Sequence, residues 1–450
     1  MTSTTHDFIA IGLGPFNLGL ACLTEPIEEL NGVFLEKKGG FNWHPGMLME
    51  DTTLQIPFMA DLVTMADPTS RFSFLNYIKE QGRMYNFYIR ENFLLLRNEY
   101  NRYCQWAIER LSSIRFNKHV HEVSYDEGSG MYLVRALCTE TGETVGYRAP
   151  RLVLGTGTSP DVPACCGDLM GRAIHTASYL SYKRRLQAGR SITVVGSGQS
   201  AAEVFYDLLQ DIDAHDYTLN WVTRSPRFFP LEYAKLTLEM TSPDYVDYFH
   251  GLPAAKRDAL MAEQKGLYKG INQNLINSIY DTLYTKSLAG PVNVNLRTNS
   301  TLYEAGVDEE TGGISLAFRQ HEQERCYKVE TEHVVMATGY RYRMPEFIGG
   351  IKDRIRWDEK GRYDVSRNYA IDRGASEIFV QNAELHTHGF VTPDLGMACY
   401  RNSVLIKEMM GREYYPIEKR IAFQQFGVGQ EEEVMPQDIS MNGKQAGQLA

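Results

Sequence analysis

No uninterrupted apolar run in this 450-residue chain approaches the ~18 residues that a membrane span requires. Residues 1–7 are polar and lack the basic-then-apolar order of a secretory leader, which predicts a cytoplasmic protein with no membrane partner. Cations are in deficit. Lys and Arg number 46 against 56 Asp and Glu, and the net charge of −10 with no Lys/Arg block excludes a nucleic-acid binder. Cysteine is sparse: Cys22, Cys104, Cys138, Cys165, Cys166, Cys326 and Cys399 form an odd, scattered set. They show neither Cys-x-x-Cys nor zinc spacing and predict reduced thiols and no metal. No Cys-x-x-x-x-Cys stands near the N-terminal glycine loop, which argues against a disulfide reductase with its dithiol beside a flavin. What remains is an ordinary globular composition, 43% hydrophobic and 23% charged, in a chain long enough for two or three domains.

Two stretches have the strand–glycine turn–helix pattern of a dinucleotide fold. The first is Phe8-Ile-Ala-Ile-Gly12-Leu-Gly14-Pro15-Phe-Asn17. Its first Gly allows a tight turn, its second lets backbone approach a pyrophosphate, and the helix that follows presents amide donors. Asn17 stands where the common fingerprint has a third Gly. Glu36 ends the next strand, where an acid bonds a ribose hydroxyl pair; this suits FAD and disfavours a 2′-phosphate. The second stretch is Ile192-Thr-Val-Val-Gly196-Ser197-Gly198-Gln199-Ser200. Here the residue after the second strand is Arg224, followed by Ser225 and Arg227, and a cation at that place favours NADPH over NADH. An acidic first loop and a basic second one predict one protein holding FAD and NADPH together.

The fold class expected is α/β: two Rossmann-like dinucleotide-binding domains plus a small, mostly helical substrate-binding region. Residues 1–185 and 335–426 are assigned to a discontinuous FAD domain, and 186–229 with 287–334 to an NADPH domain. Residues 230–286 form the helical region, and the polar stretch 427–450 reads as a flexible tail. Gly155-Thr-Gly157 and Ala337-Thr-Gly339-Tyr340 each follow an apolar strand and read as the crossovers between the two folds. Gly171-Arg-Ala-Ile-His175-Thr-Ala-Ser-Tyr179 is similar to part of a flavin monooxygenase signature, with Leu169 where that signature has Phe. It reads as a hinge between domains.

Taken together, these motifs resemble those of the N-hydroxylating flavin monooxygenases of hydroxamate siderophore synthesis, with the bacterial lysine N6-hydroxylases among the nearest members. The resemblance runs from Phe8 to Gly411. It rests on Gly12 to Gly19, Trp43-His-Pro-Gly-Met47, Asp61-Leu-Val-Thr64, Pro68-Thr-Ser70, Phe72-Ser-Phe-Leu-Asn-Tyr77, Ile192 to Ser200, Ala337-Thr-Gly-Tyr340 and His386-Thr-His-Gly389. It implies a homo-oligomer, dimer or tetramer, and an enzyme in which NADPH reduces FAD and O2 adds to give a C4a-hydroperoxide. A neutral primary amine then takes the distal oxygen, with no protein nucleophile. It further implies that Trp43, His44, Gln55, Val120 and Leu395 help hold FAD, that Gln55 also nears the substrate, and that Asn272 faces the substrate's distal polar group.

The sequence departs from this family at the substrate. Lysine and ornithine hydroxylases carry a Lys in the motif that here reads Phe58-Met-Ala60-Asp61, and that Lys grips the α-carboxylate. Relatives have Asn or Asp where this chain has Leu238. A desolvated carboxylate without a cation costs several kcal/mol, so the expected substrate is an aliphatic diamine, cadaverine or putrescine. Glu239 and Asp394 are the candidates for its non-reacting ammonium. The alternatives are an L-lysine N6- or L-ornithine N5-hydroxylase, a Baeyer–Villiger or S-oxygenating enzyme and, from another class, a non-catalytic flavoprotein.

Overall fold

The computed structural model describes residues 4–169, 171–309 and 312–434. Its first sheet has five parallel strands in the order Ile378–Val380, Leu152–Leu154, Phe8–Ile11, Gly32–Leu35, Ile114–Arg115. These strands are runs of Ile, Leu, Val, Phe and Ala because both faces of the sheet are covered. Phe8, Ala10 and Phe34 point into a core shared with the helices Pro15–Thr24, Arg97–Ile108 and Ala398–Met410. Ile9, Ile11, Val33 and Leu35 point the other way, onto an antiparallel sheet of Lys118–Asp126, Met131–Cys138 and Thr144–Ala149 with the short strand Thr4–Thr5 at its edge.

The second sheet repeats this plan. Its parallel order is Ala173–His175, His333–Met336, Ser191–Val195, Thr218–Val222, Val294–Arg297. The helices Gln199–Asp211 and Gln273–Ser287 cover one face. The antiparallel strands Ser300–Val307, Ile314–Gln320 and Arg325–Thr331 cover the other.

Two boundaries differ from those expected. Ala173–His175 lies at the edge of the second sheet, so the chain enters that fold before 185, and His333–Met336 keeps it there beyond 334. The strand period was visible, but sheet membership depends on pairing between residues more than 150 apart in sequence. The crossovers meet: Thr158–Pro160 pairs antiparallel with Tyr340–Tyr342.

Residues 230–286 are helical, as expected, but they do not form a separate body. Pro243–Gly251 and Ala254–Glu263 pack on Leu385–His388 of the first fold, whereas Gln273–Ser287 packs on Gln199–Asp211 of the second. Most of the expected tail, 435–450, lies outside the described residues. Just before it the chain is docked: the Phe426 ring sits 5.1 Å from that of Tyr245.

Candidate cofactor and substrate site

The first glycine loop turns at Gly12, whose φ of +90° strains any residue with a side chain. A Cβ there would also come within 2.4 Å of Gly155 O. Gly14 precedes the helix Pro15–Thr24, and a Cβ on it meets nothing within 4 Å, so the backbone is open to a ligand. Pro15 takes the first helical position, where no N–H partner is lost. Asn17 explains the missing third glycine. It is buried, its Nδ2 donates to Gly12 O at 2.6 Å, and its Oδ1 accepts from Gln381 Nε2 at 2.7 Å. The side chain therefore fastens the loop to the end of the strand Ile378–Val380, two strands away. Glu36 accepts from Leu13 N and Lys38 N, both at 2.9 Å. That holds the carboxylate beside the loop with lone pairs left for ribose hydroxyls.

The second loop turns at Gly196 (φ +157°), where a Cβ would meet Ala337 O at 2.2 Å. Gly198 caps the helix Gln199–Asp211 with no side-chain bond. The Gln199 side chain is engaged: Nε2 donates to Glu203 Oε1 and Oε1 accepts from Asn272 N, both at 2.8 Å. This leaves Ser197, Ser200 and the backbone amides to face a ligand. Arg224 is exposed at the end of Thr218–Val222, and no carboxylate pairs with it among the described residues. Lys269 joins it there, with its carbonyl 3.5 Å from the Cβ position of Gly198. Burial, then Lys265 and Arg224, lowers the Lys269 ammonium below its ordinary range. A cluster of cations in mutual repulsion is the counterpart of a phosphate. Lys269 escaped the sequence reading because it stands 45 residues beyond Arg224 and only the fold brings it back.

Between the loops runs a seam of interlocked groups. Arg97 of the first fold pairs with Glu203 of the second through two bonds of 2.7 Å, with both side chains largely out of solvent. His44, in a left-handed backbone conformation, lies 5.5 Å from the Tyr340 ring, and His175 lies 5.0 Å from the same ring. Burial, aided by Arg97, drops the His44 imidazole to about 4, so it is neutral near pH 7. His175 Nδ1 accepts from Ala177 N at 3.1 Å, which assigns the ring proton to Nε2, 3.0 Å from Gly339 O. Trp43 is tied by its backbone N to Asn101 and packs on Tyr100 at 5.4 Å. Gln55 sits on the strand Thr53–Pro57, next to this seam. Its Nε2 is buried without a hydrogen-bond partner. An orphaned buried donor costs about 1–3 kcal/mol and calls for an acceptor from outside the chain.

The chain matches the model of the L-lysine 6-monooxygenase/L-ornithine 5-monooxygenase family over residues 4–342. It belongs to that family. A putrescine N-hydroxylase from Shewanella oneidensis is 54% identical over 424 residues, covering 94% of this chain and 84% of that protein. The FAD-bound crystal structure of DfoA, the cadaverine monooxygenase of the desferrioxamine pathway in Erwinia amylovora, is 61% identical. It superposes with a TM-score of 0.93 over 95% of this chain and 99% of that one. An ornithine N-hydroxylase from Kutzneria sp. 744, solved with reduced FAD, NADP+ and L-ornithine, is 25% identical with a TM-score of 0.83, over 90% and 99%.

For this monooxygenase family member the expected substrate residues divide. Ala60 is buried and faces Gly396, next to Asp394. Leu395 and Val120 are buried in the two cores of the first fold. Three expected positions make other contacts or stand exposed in the structure. Asn272 Oδ1 caps the helix Gln273–Ser287, accepting from Asn274 N and Leu275 N, and its own N–H is fixed by Gln199. These bonds tie the residue to the second glycine loop through its N–H and to the helix it caps through Oδ1. Glu239 accepts from Phe423 N, Gln424 N and Gln424 Nε2 at 2.9–3.1 Å, so it clamps the C-terminal segment. Leu238 is 45% exposed on the short helix Lys235–Leu238, in no core cluster with Ala60. Helix caps and strap contacts look like binding residues in sequence because the same polar side chains serve both.

Proposed function

We propose that this chain uses FAD, NADPH and O2 to hydroxylate one terminal amine of a small aliphatic diamine, cadaverine or putrescine, for hydroxamate siderophore biosynthesis. The identity of 61% to a cadaverine monooxygenase and 54% to a putrescine N-hydroxylase supports the diamine. The single structural observation that carries it is Ala60. Against Gly396 and Asp394 this chain presents a methyl group where a lysine would carry an ammonium, and the nearby cation, Arg401, is already paired with Glu384.

The residues fit the cofactors. The open backbone at Gly14, the carboxylate of Glu36 and the unpartnered Gln55 Nε2 suit FAD. Ser197, Ser200, Arg224 and Lys269 suit the phosphates of NADPH. Bound FAD, reduced by NADPH, supplies the oxygen-activating redox chemistry. The chain itself binds, orients and excludes water. Gln55 Nε2 provides a fixed donor at the seam. The reacting amine must be neutral although its free pKa is ~10.4; neutral His44 adds no positive charge there, and burial favours the uncharged form.

No helix among the described residues is long and apolar enough to cross a membrane. The same reading includes a cytoplasmic enzyme and a homo-oligomer, dimer or tetramer. Tyr85, Tyr88, Ile89 and Phe93, each at least 64% exposed, support self-association. Light scattering in solution tests it. The reaction is tested by product mass from a mixture of cadaverine, putrescine, lysine and ornithine with NADPH and air. An added oxygen on a diamine is expected; preferential conversion of lysine or ornithine overturns the substrate.

A further inference from the structure

The turn that carries Ala60 is held by one carboxylate. Asp61, 2% exposed, accepts from Val63 N, Thr64 N, Phe74 N and Thr64 Oγ1 at 2.7–2.9 Å. Ala60 N donates to Pro57 O at 3.0 Å. Four bonds to one residue leave its neighbour little freedom, so the Ala60 methyl is fixed in place. It is fixed against the short turn Leu395–Met397: a Cβ built on Gly396 would lie 4.0 Å from Ala60 Cβ and 3.1 Å from Asp394 Oδ1. Ala60, Gly396 and the Asp394 carboxylate therefore lie side by side.

Asp394 opens that turn, and its Oδ1 accepts from Gly396 N at 2.7 Å. Its Oδ2 has no hydrogen-bond partner among the described residues. The side chain is half-buried, and burial raises its carboxyl above the ordinary range, offset in part by the Gly396 N–H and by Arg401. Tyr233, from the segment that precedes the helix Lys235–Leu238, lies within electrostatic reach. Burial and the Asp394 carboxylate push its phenol up to about 12. A partly desolvated carboxylate with one free oxygen and a methyl close by is suited to an alkylammonium. It repels a second carboxylate. The rival acid, Glu239, has both oxygens occupied by backbone and amide donors.

We propose that Asp394 seats the non-reacting ammonium of the diamine, with Ala60 leaving the room for it, and that this pair excludes amines bearing an α-carboxylate. The assignment rests on the N-hydroxylation proposed above. The test compares cadaverine with n-pentylamine, which has the same length and no second ammonium, on the FAD-loaded enzyme. Asp394→Asn should lower kcat/KM for cadaverine about 10- to 100-fold, the loss for one charge-assisted hydrogen bond. The loss should lie mainly in KM, with pentylamine unchanged. Equal losses for both amines, or no loss for cadaverine, overturn the assignment. If Asp394→Asn does not fold, Ala60→Lys serves instead: a cation paired with Asp394 should abolish the cadaverine preference, and an intact preference overturns the seat. If the wild type makes no hydroxylamine from any amine, the reaction has failed, and the seat is read from binding. Cadaverine should then raise Tm of the wild type and not of Asp394→Asn; an equal rise in both overturns it.

Discussion

The two glycine loops are built alike and braced differently. Both turn at a glycine whose missing Cβ lets a crossover strand end approach, Gly155 for Gly12 and Ala337 for Gly196. The first is locked by side chains of its own fold, Asn17 to Gln381 and Glu36 to Leu13. The second is braced partly from outside: Gln199 holds the backbone of Asn272 within its own fold, but Glu203 is held by Arg97 of the first fold. A loop locked within its own fold suits a cofactor that stays. A loop braced across a seam, with unpaired cations at its rim, suits one that comes and goes.

The largest expected effect separates the loops directly. Gly12→Ala must accept both a positive φ and a backbone clash, together several kcal/mol. The purified variant should lack flavin absorbance. Gly196→Ala should remain yellow and lose NADPH binding, seen as a large rise in KM. Loss of flavin from both variants would break the contrast.

Next comes the seam. Glu203→Gln leaves Arg97 as a buried, uncompensated charge, which costs about 3–5 kcal/mol. Urea unfolding should show that loss, and an unchanged midpoint would mean that the second loop does not depend on the first fold. The rim cations should matter less. Arg224→Ala and Lys269→Ala should each raise KM for NADPH by about tenfold, near 1.4 kcal/mol, and leave NADH untouched. Equal effects on both nucleotides would remove the 2′-phosphate from the account.

Acid should act on the first fold and the helices packed on it, where His250, His386 and His388 are all lowered by burial. Their folded pKa lies below the unfolded value of ~6.5, so the unfolded chain binds more protons in acid. The stability they contribute is present above that pH and is lost as pH falls toward their folded values. Tm should decline from pH 7 to pH 5, and His388→Gln should flatten the decline. A slope unchanged in that variant would place the acid response elsewhere. The smallest effect is expected at the C-terminal strap: Glu239→Ala removes bonds at a solvent-facing site, for a small fall in Tm, with kcat/KM for the diamine unaffected. A specific loss of diamine turnover there would return Glu239 to the substrate site.

Much of this was legible in residue order. The two loops, Glu36, Arg224 and the crossovers follow from local rules, since a turn that needs glycine or a strand that needs apolar residues announces itself over a few positions. Asn17 was visible as an exception, but its reason, Gln381, lies 364 residues away. The cap made by Asn272 and the strap contact made by Glu239 were not legible, because a polar side chain at a helix end serves a cap or a strap as readily as a ligand. The helical region read as one unit because periodicity reports that a helix has a buried face and not which fold covers it.

What the sequence determined by itself is the chemistry available: two nucleotide loops of opposite charge character, and an alanine where a lysine would grip a carboxylate. What only the tertiary structure decided is which groups stand together. Ala60 and Asp394 are separated by more than 300 residues, and their approach depends on Asp61 tying down one turn and Gly396 leaving space in another. Local rules act through bonded neighbours and short-range backbone sterics. Convergence of distant side chains is set by how the sheets pair and the cores pack, and that information is spread over the whole chain.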